Sequence, residues 1–291
     1  MDSRELGLVL ARNLLDVEEL HYGWWAPNET INFQNFQKAQ QRYTDNLVAR
    51  VQQLCPPGGR ILDVGCGTGR LMEELLRAGF QVDGVIPSAS LKEYVETRLA
   101  ALNPEHTPTV YGTEFESLPQ AAWQPNYDLL LFAESFQYID MEASLGRAGE
   151  LLKPGGRILI CDFFKTESHG DGGSGDKAFG GGKPLDKFYH RVRAYGLQIQ
   201  QDEDITTAIS PSVELLDDLI HRRIQPSLEA IDAFLQQRLP RLWPLTRRVF
   251  RKPWSKVRFK YLEGHRCRSV FERYKSYRML VLAPGQNSDG A

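Results

Sequence analysis

From about residue 60 to residue 163, short apolar runs alternate with stretches whose apolar residues recur at helical spacing. Ile61-Leu62-Asp63-Val64 is a β-rich run that ends in glycines, and Leu71, Met72, Leu75 and Leu76 then mark a helix stopping at Gly79. Val82 to Ile86 predicts a second strand. Ser88 or Ser90 follows as N-cap to a helix carrying Leu91, Tyr94, Val95 and Leu99. Val110-Tyr111 is a weak third strand, and Leu129 to Phe132 a wholly apolar fourth. Met141, Leu145, Ala148 and Leu151 mark a further helix, which Lys153-Pro154-Gly155-Gly156 breaks before a fifth strand over Arg157 to Phe164. Strands that are apolar throughout and separated by helices imply a parallel sheet covered on both faces.

Two segments depart from this rhythm. Residues 170–182, GDGGSGDKAFGGG, hold seven glycines and predict a mobile loop without regular structure. Residues 211–275 are helical in pattern, with Pro226, Pro240, Pro244 and Pro253 expected to cut them into short pieces. SYRMLVLAP at 276–284 returns to strand character, so the helical stretch reads as an insertion before the last strand. The organisation expected is an N-terminal cap (1–55), an α/β core (56–205), a helical lid (206–275), and a last core strand with tail (276–291).

Composition narrows the class. With 42% hydrophobic and 25% charged residues in 291, the chain has room for one large α/β domain with additions. Its formal net charge of −2 gives no global case for nucleic-acid binding. Cys55, Cys66, Cys161 and Cys267 are widely spaced, which points to thiols in a reducing compartment rather than to a disulfide framework or a zinc site. The first residues, MDSRELGLVLARNLL, lack the basic start and unbroken apolar run of a signal peptide. No stretch approaches the ~20 apolar residues that span a bilayer, and the expectation is a soluble cytoplasmic protein.

The chemistry sits in the first turn. A strand ending in Asp63-Val64-Gly65-Cys66-Gly67-Thr68-Gly69 and entering a helix is a ligand-binding turn: glycine lets backbone approach a ligand with no Cβ between them. The helix that follows offers free N–H groups to an anion, and ligands in such sheets lie at the carboxyl ends of the strands. A dinucleotide fingerprint requires G-x-G-x-x-G. Here the spacing is G-x-G-x-G, with an acid two residues before the first glycine. The run ILDVGCGTGRL resembles the first motif of class I S-adenosylmethionine (SAM)-dependent methyltransferases. That resemblance implies a Rossmann-like seven-stranded α/β sheet with an antiparallel last strand. It also assigns the methionine part of SAM to Asp63, Gly65, Gly67 and Gly69.

The likeness runs through residues 60–164 and more loosely to 205. It implies that Glu114, five residues before Pro119, accepts a hydrogen bond from the adenine amino group, with Phe115 beside it able to stack on the ring. Glu134 to Tyr138 falls at the carboxyl end of strand four, where methyl group and acceptor would meet. The family usually carries an acid after strand two that grips both ribose hydroxyls. This chain reads Gly84-Val85-Ile86-Pro87-Ser88, with Ile86 in the acid's place. Asp83 lies three residues earlier and so points to the opposite face of the strand. Losing that charge-assisted pair of hydrogen bonds removes ~1.5–3 kcal/mol of cofactor affinity.

His21-Tyr22-Gly23-Trp24-Trp25 is similar to the H-x-G-x-W segment of methyltransferases acting on tocopherols, sterols and related lipid-like acceptors. The resemblance implies that it folds over the cofactor, with Tyr22 towards the sulfonium; the alternative is an aromatic patch that packs a helix pair. Methyl transfer from a sulfonium mainly demands alignment and exclusion of water. A base is needed only where the acceptor must lose a proton, and His21, Glu134, Tyr138, His169, Tyr189 and His190 are the candidates. Tyr22 and Glu134 are placed nearest the methyl group, with His21 and Tyr138 behind them.

Between Arg241 and Arg278 thirteen Lys or Arg face only Glu263 and Glu272, with aromatics interleaved. Four readings stand: a lid packed on the acidic remainder, a face towards an anionic membrane surface, arginines binding an anionic group on the acceptor, and, more weakly, RNA. The function expected is methyl transfer from SAM to an O, C or N atom of a hydrophobic or amphipathic small molecule. The alternatives are a SAM-binding regulator without chemistry, or non-methylating SAM chemistry at the methionine moiety.

Overall fold

The computed structural model describes residues 19, 21–104, 106–243, 248 and 251–285. Expectations for residues 1–18, for 244–247 and for the tail beyond 285 lie outside the described residues. The sheet is built from β1 (Arg60–Val64), β2 (Gln81–Val85), β3 (Val110–Tyr111), β4 (Tyr127–Ala133), β5 (Leu152–Lys165), β6 (Leu197–Asp204) and β7 (Lys275–Pro284). Its order is β3-β2-β1-β4-β5-β7-β6. β7 runs antiparallel to both β5 and β6, and the other pairs are parallel. This is the Rossmann-like seven-stranded architecture.

Strand alternation feeds two apolar layers. Ile61, Leu129, Leu131 and Leu159 meet Tyr43, Leu47 and Val51 of α1 (Phe33–Leu54), Met72 and Leu75 of α2 (Arg70–Arg77), and Val95 and Leu99 of α3 (Ala89–Ala100). Leu62, Leu130, Phe132, Ile158 and Ile160 face the other way. They pack on Met141, Leu145, Ala148 and Leu151 of α4 (Met141–Leu151) and on Phe188. Ser88, rather than Ser90, caps α3 by accepting from Leu91 N–H. Leu152-Lys153-Pro154-Gly155-Gly156 does not separate helix from strand: β5 already begins at Leu152, opposite Tyr127, with a register shift before Leu129.

The glycine-rich stretch is a second correction. It contains a short helix, α5 (Ser174–Ala178), with Gly175, Ala178 and Phe179 buried. A Cβ on Gly175 would lie 2.4 Å from Val270 Cγ1 and 2.6 Å from Tyr274 Cε2. Asp171 accepts from the Tyr274 hydroxyl and pairs with Arg273 at 2.9 Å, and Asp176 pairs with His169 at 2.5 Å. Gly173, Gly175, Gly181 and Gly182 admit close neighbours, while Gly170, Gly172 and Gly180 have nothing within 4 Å of a would-be Cβ. α6 (Leu185–Ala194), which carries Phe188, follows and leads to β6.

Between β6 and β7 come α7 (Thr206–Ile209), α8 (Pro211–Leu219), a π turn at Ile220–Ile224, α9 (Gln225–Arg238), α10 (Arg251–Tyr261) and α11 (Arg268–Tyr274). Pro226 does not cut this run. Its missing N–H falls directly after the π turn, where the regular hydrogen-bond ladder is already interrupted.

Asp83 shows why β2 needs an acid that no ligand touches. It is fully buried, and its carboxylate accepts from Arg60 Nε (2.9 Å) and Nη2 (2.7 Å), the Tyr127 hydroxyl (3.0 Å) and Thr109 N–H (2.8 Å). Arg60 and Tyr127 open β1 and β4, so the group ties the amino ends of the sheet. Asp83→Ala strands these donors and should lower unfolding stability by about 3 kcal/mol in denaturant titration, since Arg60 keeps some access to water. Cofactor affinity of the folded fraction should stay as in the parent protein; a selective loss of affinity would give Asp83 a ligand role after all.

Candidate functional site

The three motif glycines have left-handed φ values of +83°, +56° and +75° at Gly65, Gly67 and Gly69, a region in which a side chain is strained. Their surroundings differ. A Cβ on Gly65 would meet Ser135 Cβ at 2.4 Å, and one on Gly69 would meet Val95 Cγ1 at 3.0 Å. Gly65 thus lets the loop after β4 close on β1, where the Ser135 hydroxyl donates to Val64 O. Gly69 lets α3 approach the start of α2. Only Gly67 has nothing within 4 Å of a would-be Cβ. It faces a cavity of about 680 Å³ at the carboxyl ends of β1, β2 and β4, a size ordinary for a small-molecule site. Gly65 and Gly67 line this cavity; Gly69 is not among its lining residues.

Asp63 lines the same space. It is 2% exposed, and its Oδ2 has no hydrogen-bond partner. Burial alone pushes its carboxyl up to about 7. An orphaned, buried carboxylate oxygen facing a cavity calls for a cationic or N–H donor. Beside it the wall turns apolar through Val85, Ile86, Pro87 and Leu91. Ile86 is 8% exposed and offers the ribose position nothing polar, while the Ser88 hydroxyl is engaged in capping α3.

Glu114 lines the cavity and Tyr138, 59% exposed, stands at its edge. Phe115 lines the cavity beside Glu114, while its ring is 2% exposed and packs edge-on against Trp123 (5.5 Å) and Phe132 (5.8 Å).

The segment His21–Trp25 is pinned across the core. Gly23 N–H and Trp25 Nε1 both donate to Ser212 Oγ at 2.9 Å, and Trp24 N–H donates to Ala39 O at 2.8 Å. A Cβ on Gly23 would sit 2.6 Å from that of Ala39, which is why a glycine stands there. Tyr22 N–H donates to Glu134 Oε1 at 2.9 Å, and the Tyr277 hydroxyl donates to the same oxygen at 2.7 Å. Glu134 itself has φ +52°, a left-handed conformation rare for a non-glycine residue and a frequent mark of functional positions. Burial raises its carboxyl above the ordinary range, and His21 with the two donors only partly offsets this.

His21 lines the cavity and stacks on Tyr43 at 4.3 Å. Burial would lower its imidazolium, but Glu19, paired at 2.8 Å, and the charge of Glu134 leave it above the usual histidine value. Tyr22 is not among the lining residues. Its ring lies edge-on to Phe271 (6.0 Å) and Tyr277 (6.5 Å), and burial raises its hydroxyl well above normal.

The structure therefore gathers Asp63, Gly65, Gly67, Glu114, Phe115, Glu134, His21 and Tyr138 round one space and sets Tyr22 behind Glu134. His169, Tyr189 and His190 do not join them: His169 pairs with Asp176, the Tyr189 hydroxyl donates to Asp202 at 2.7 Å, and His190 is exposed. Sequence reasoning missed Tyr43, Tyr277 and Asp162, and held Ser135 only as part of the run Glu134 to Tyr138. Asp162, 1% exposed and pushed by burial up to about 8, accepts from Gln137 N–H at 2.9 Å. An acid ending the apolar run of β5 was the available signal.

A model of the family described as "Methyltransferase domain" matches residues 36–201. A ubiquinone biosynthesis O-methyltransferase of Bradyrhizobium sp. is 35% identical over 107 residues, which covers 36% of this chain and 40% of that protein. The chain thus matches less than half the length of that relative. A 27-O-demethylrifamycin SV methyltransferase of Amycolatopsis mediterranei is 25% identical over 204 residues, 67% of this chain and 72% of that one. Among solved structures, the [4+2]-cyclase SpnF superposes with TM-score 0.65 at 20% identity, over 97% of this chain and 94% of its own. A putative sarcosine dimethylglycine methyltransferase from Galdieria sulphuraria gives TM-score 0.69 at 15% identity, over 95% and 97%. Both likenesses establish the fold.

Two outcomes follow from the cradle. Gly67→Val meets no protein atom, so it should cost the fold only the left-handed strain of ~1–2 kcal/mol while lowering SAM affinity by about a hundredfold or more in calorimetry; unchanged affinity would show the ligand lies elsewhere. Asp63, raised to about 7 from an ordinary 3.8, holds a proton in the free native state that the unfolded chain releases. Stability of the free protein should therefore fall as pH rises between those values. An ammonium ligand pairs with the ionised form, so SAM binding should tighten roughly tenfold from pH 6 to 8, and Asp63→Asn should flatten that profile.

Proposed function

We propose that this chain, which belongs to the class I SAM-dependent methyltransferase family, moves the methyl group of SAM to an O, C or N atom of a hydrophobic or amphipathic small molecule. The observation that carries the reading is the bare Gly67 turn beside the orphaned Asp63 oxygen, at the carboxyl ends of the central strands. The residues present fit the cofactor. Asp63 suits the methionine ammonium, the Gly65–Gly67 backbone suits the close approach of the methionine moiety, and Glu114 suits the adenine amino group.

When bound, SAM supplies an electrophilic methyl on a good leaving group. The chain's own part is alignment and exclusion of water. Glu134 holds the backbone of Tyr22, and with it the segment that covers the site, through one oxygen. Tyr277 holds Glu134, and Tyr43 holds Tyr277 with hydroxyls 3.0 Å apart. A proton leaving a hydroxyl acceptor has Glu134 or His21 to receive it, both at the cavity wall. The relatives named in ubiquinone and rifamycin biosynthesis methylate small molecules by their descriptions, which supports a small-molecule acceptor here.

A second reading keeps the pocket and changes the chemistry. Ile86 weakens the grip on the ribose, and the fold neighbour SpnF is described as a cyclase. Incubation of the protein with SAM and a panel of apolar phenols, acids and amines separates the two: S-adenosylhomocysteine formed only with acceptor supports methyl transfer. Methylthioadenosine formed from SAM alone, or binding without turnover, speaks against it, and no SAM binding at millimolar concentration ends both readings. Glu134→Ala frees the Tyr22 N–H of the covering segment and the Tyr277 hydroxyl of β7 and should lower turnover by about a hundredfold, corresponding to ~2.7 kcal/mol in the barrier, with a smaller loss of SAM affinity by calorimetry.

A further inference from the structure

The run from Pro211 begins buried, through Val213 and Leu215, but α9 contributes no buried residue at all. Ile224, Leu228, Ile231 and Phe234 follow at intervals of three and four and are 37%, 36%, 54% and 56% exposed. At that spacing they share one side of the helix, so they form a continuous, partly exposed stripe. α10 carries a second one, Trp254 and Val257, 46% and 44% exposed. Scattered apolar side chains need no explanation, but stripes on two helices of one insertion do.

Charge surrounds these stripes. Residues 220–261 hold eleven Lys or Arg against Glu229 and Asp232, in a chain whose net charge is −2. Arg222 pairs with Asp218 and Arg258 with Glu263. Arg223, Arg241, Arg248, Arg251, Lys252 and Lys256 have no carboxylate within ion-pair distance among the described residues. The basic lid thus does not close on the acidic remainder through these groups, as one reading of the sequence expected.

We propose that α9 and α10 are a docking surface for an anionic phospholipid bilayer. Phe234, Ile231 and Trp254 enter the boundary between headgroups and acyl chains, and the neighbouring Arg and Lys lie among the phosphates. Helices with an apolar stripe, an aromatic on it and cations beside it bind in this way. Each cation near such a surface multiplies affinity by about fivefold. The other occupants satisfy only half of the pattern. A second copy of the chain would set two strongly basic surfaces against each other, and a nucleic acid would leave the apolar stripes in water. An acidic bilayer meets both, and the excess of acids elsewhere in the chain turns the basic face towards it.

The test needs no cofactor and is independent of the methyl-transfer reading. The full chain is sedimented with vesicles of phosphatidylglycerol and phosphatidylcholine, and with vesicles of phosphatidylcholine alone. The expected result is binding at least tenfold tighter to the anionic vesicles, weakening with added salt. The pair Phe234→Ser and Trp254→Ser should cut it a further tenfold or so, with circular dichroism and thermal midpoint unchanged because both side chains are exposed. Lys252→Glu with Lys256→Glu should do the same through charge. Three results overturn the proposal: no binding to anionic vesicles at low salt; binding that ignores the Phe234 and Trp254 changes, which marks a plain polyanion contact; or a soluble dimer in sedimentation equilibrium that the same two changes dissociate.

Discussion

One carboxylate oxygen ties together three parts of the chain that are far apart in sequence. Glu134 Oε1 accepts the Tyr22 N–H from 112 residues away and the Tyr277 hydroxyl from 143 residues away. It does so from a left-handed backbone conformation at the end of β4, which costs about 1–2 kcal/mol relative to an ordinary one. Burial adds to that cost by disfavouring the charged form. A position carrying both penalties persists because the surrounding contacts determine it more strongly than local preference does. What it achieves is registration. The N-terminal segment, the central parallel strands and the antiparallel β7 meet at one atom, and that atom belongs to a residue at the cavity wall.

The same logic separates the three glycines of the first turn. All have positive φ, so all three depend on glycine's freedom. Two of them are occupied with the protein itself: Gly65 with Ser135, and Gly69 with Val95. Only the middle one is bare towards the cavity. A motif that reads as one ligand cradle thus also makes two packing contacts that shape the turn, and of its three glycines Gly67 alone leaves empty the space a Cβ would take. The packing contacts are indirect but strict, since a methyl group at Gly65 would push the loop carrying Glu134 away from β1.

This division also explains what could be read from the sequence. The strand–turn–helix was legible because its determinants lie within eleven consecutive residues, and the strands because apolar runs have a short period. The partners were not legible. Ser135, Ser212 and Tyr277 acquire their roles through contacts 71 to 189 residues away, and nothing local distinguishes a serine that receives an indole N–H from one that faces water. The stretch 170–182 was misread for the same reason. Its glycines look like flexibility until Val270 and Tyr274, about a hundred residues later, turn out to fill the space beside Gly175. Phe115 was legible only in part: the motif placed it at the cavity, where it lies, but not the packing of its ring on Trp123 and Phe132.

β2 shows how function and stability compete for one residue type on one strand. Asp83 spends its carboxylate on Arg60, Tyr127 and Thr109 at the amino ends of the sheet, and at the carboxyl end the strand delivers Ile86. The cavity lining accordingly combines the carboxylates Asp63, Glu114 and Glu134 with the apolar Val85, Ile86 and Leu91. Under the proposed SAM reading, the ribose meets Ile86 where the resemblance expects a carboxylate. The Gly65–Ser135 contact sets how closely the loop after β4, which carries Glu134, lies against β1, and so shapes the cavity that both residues line.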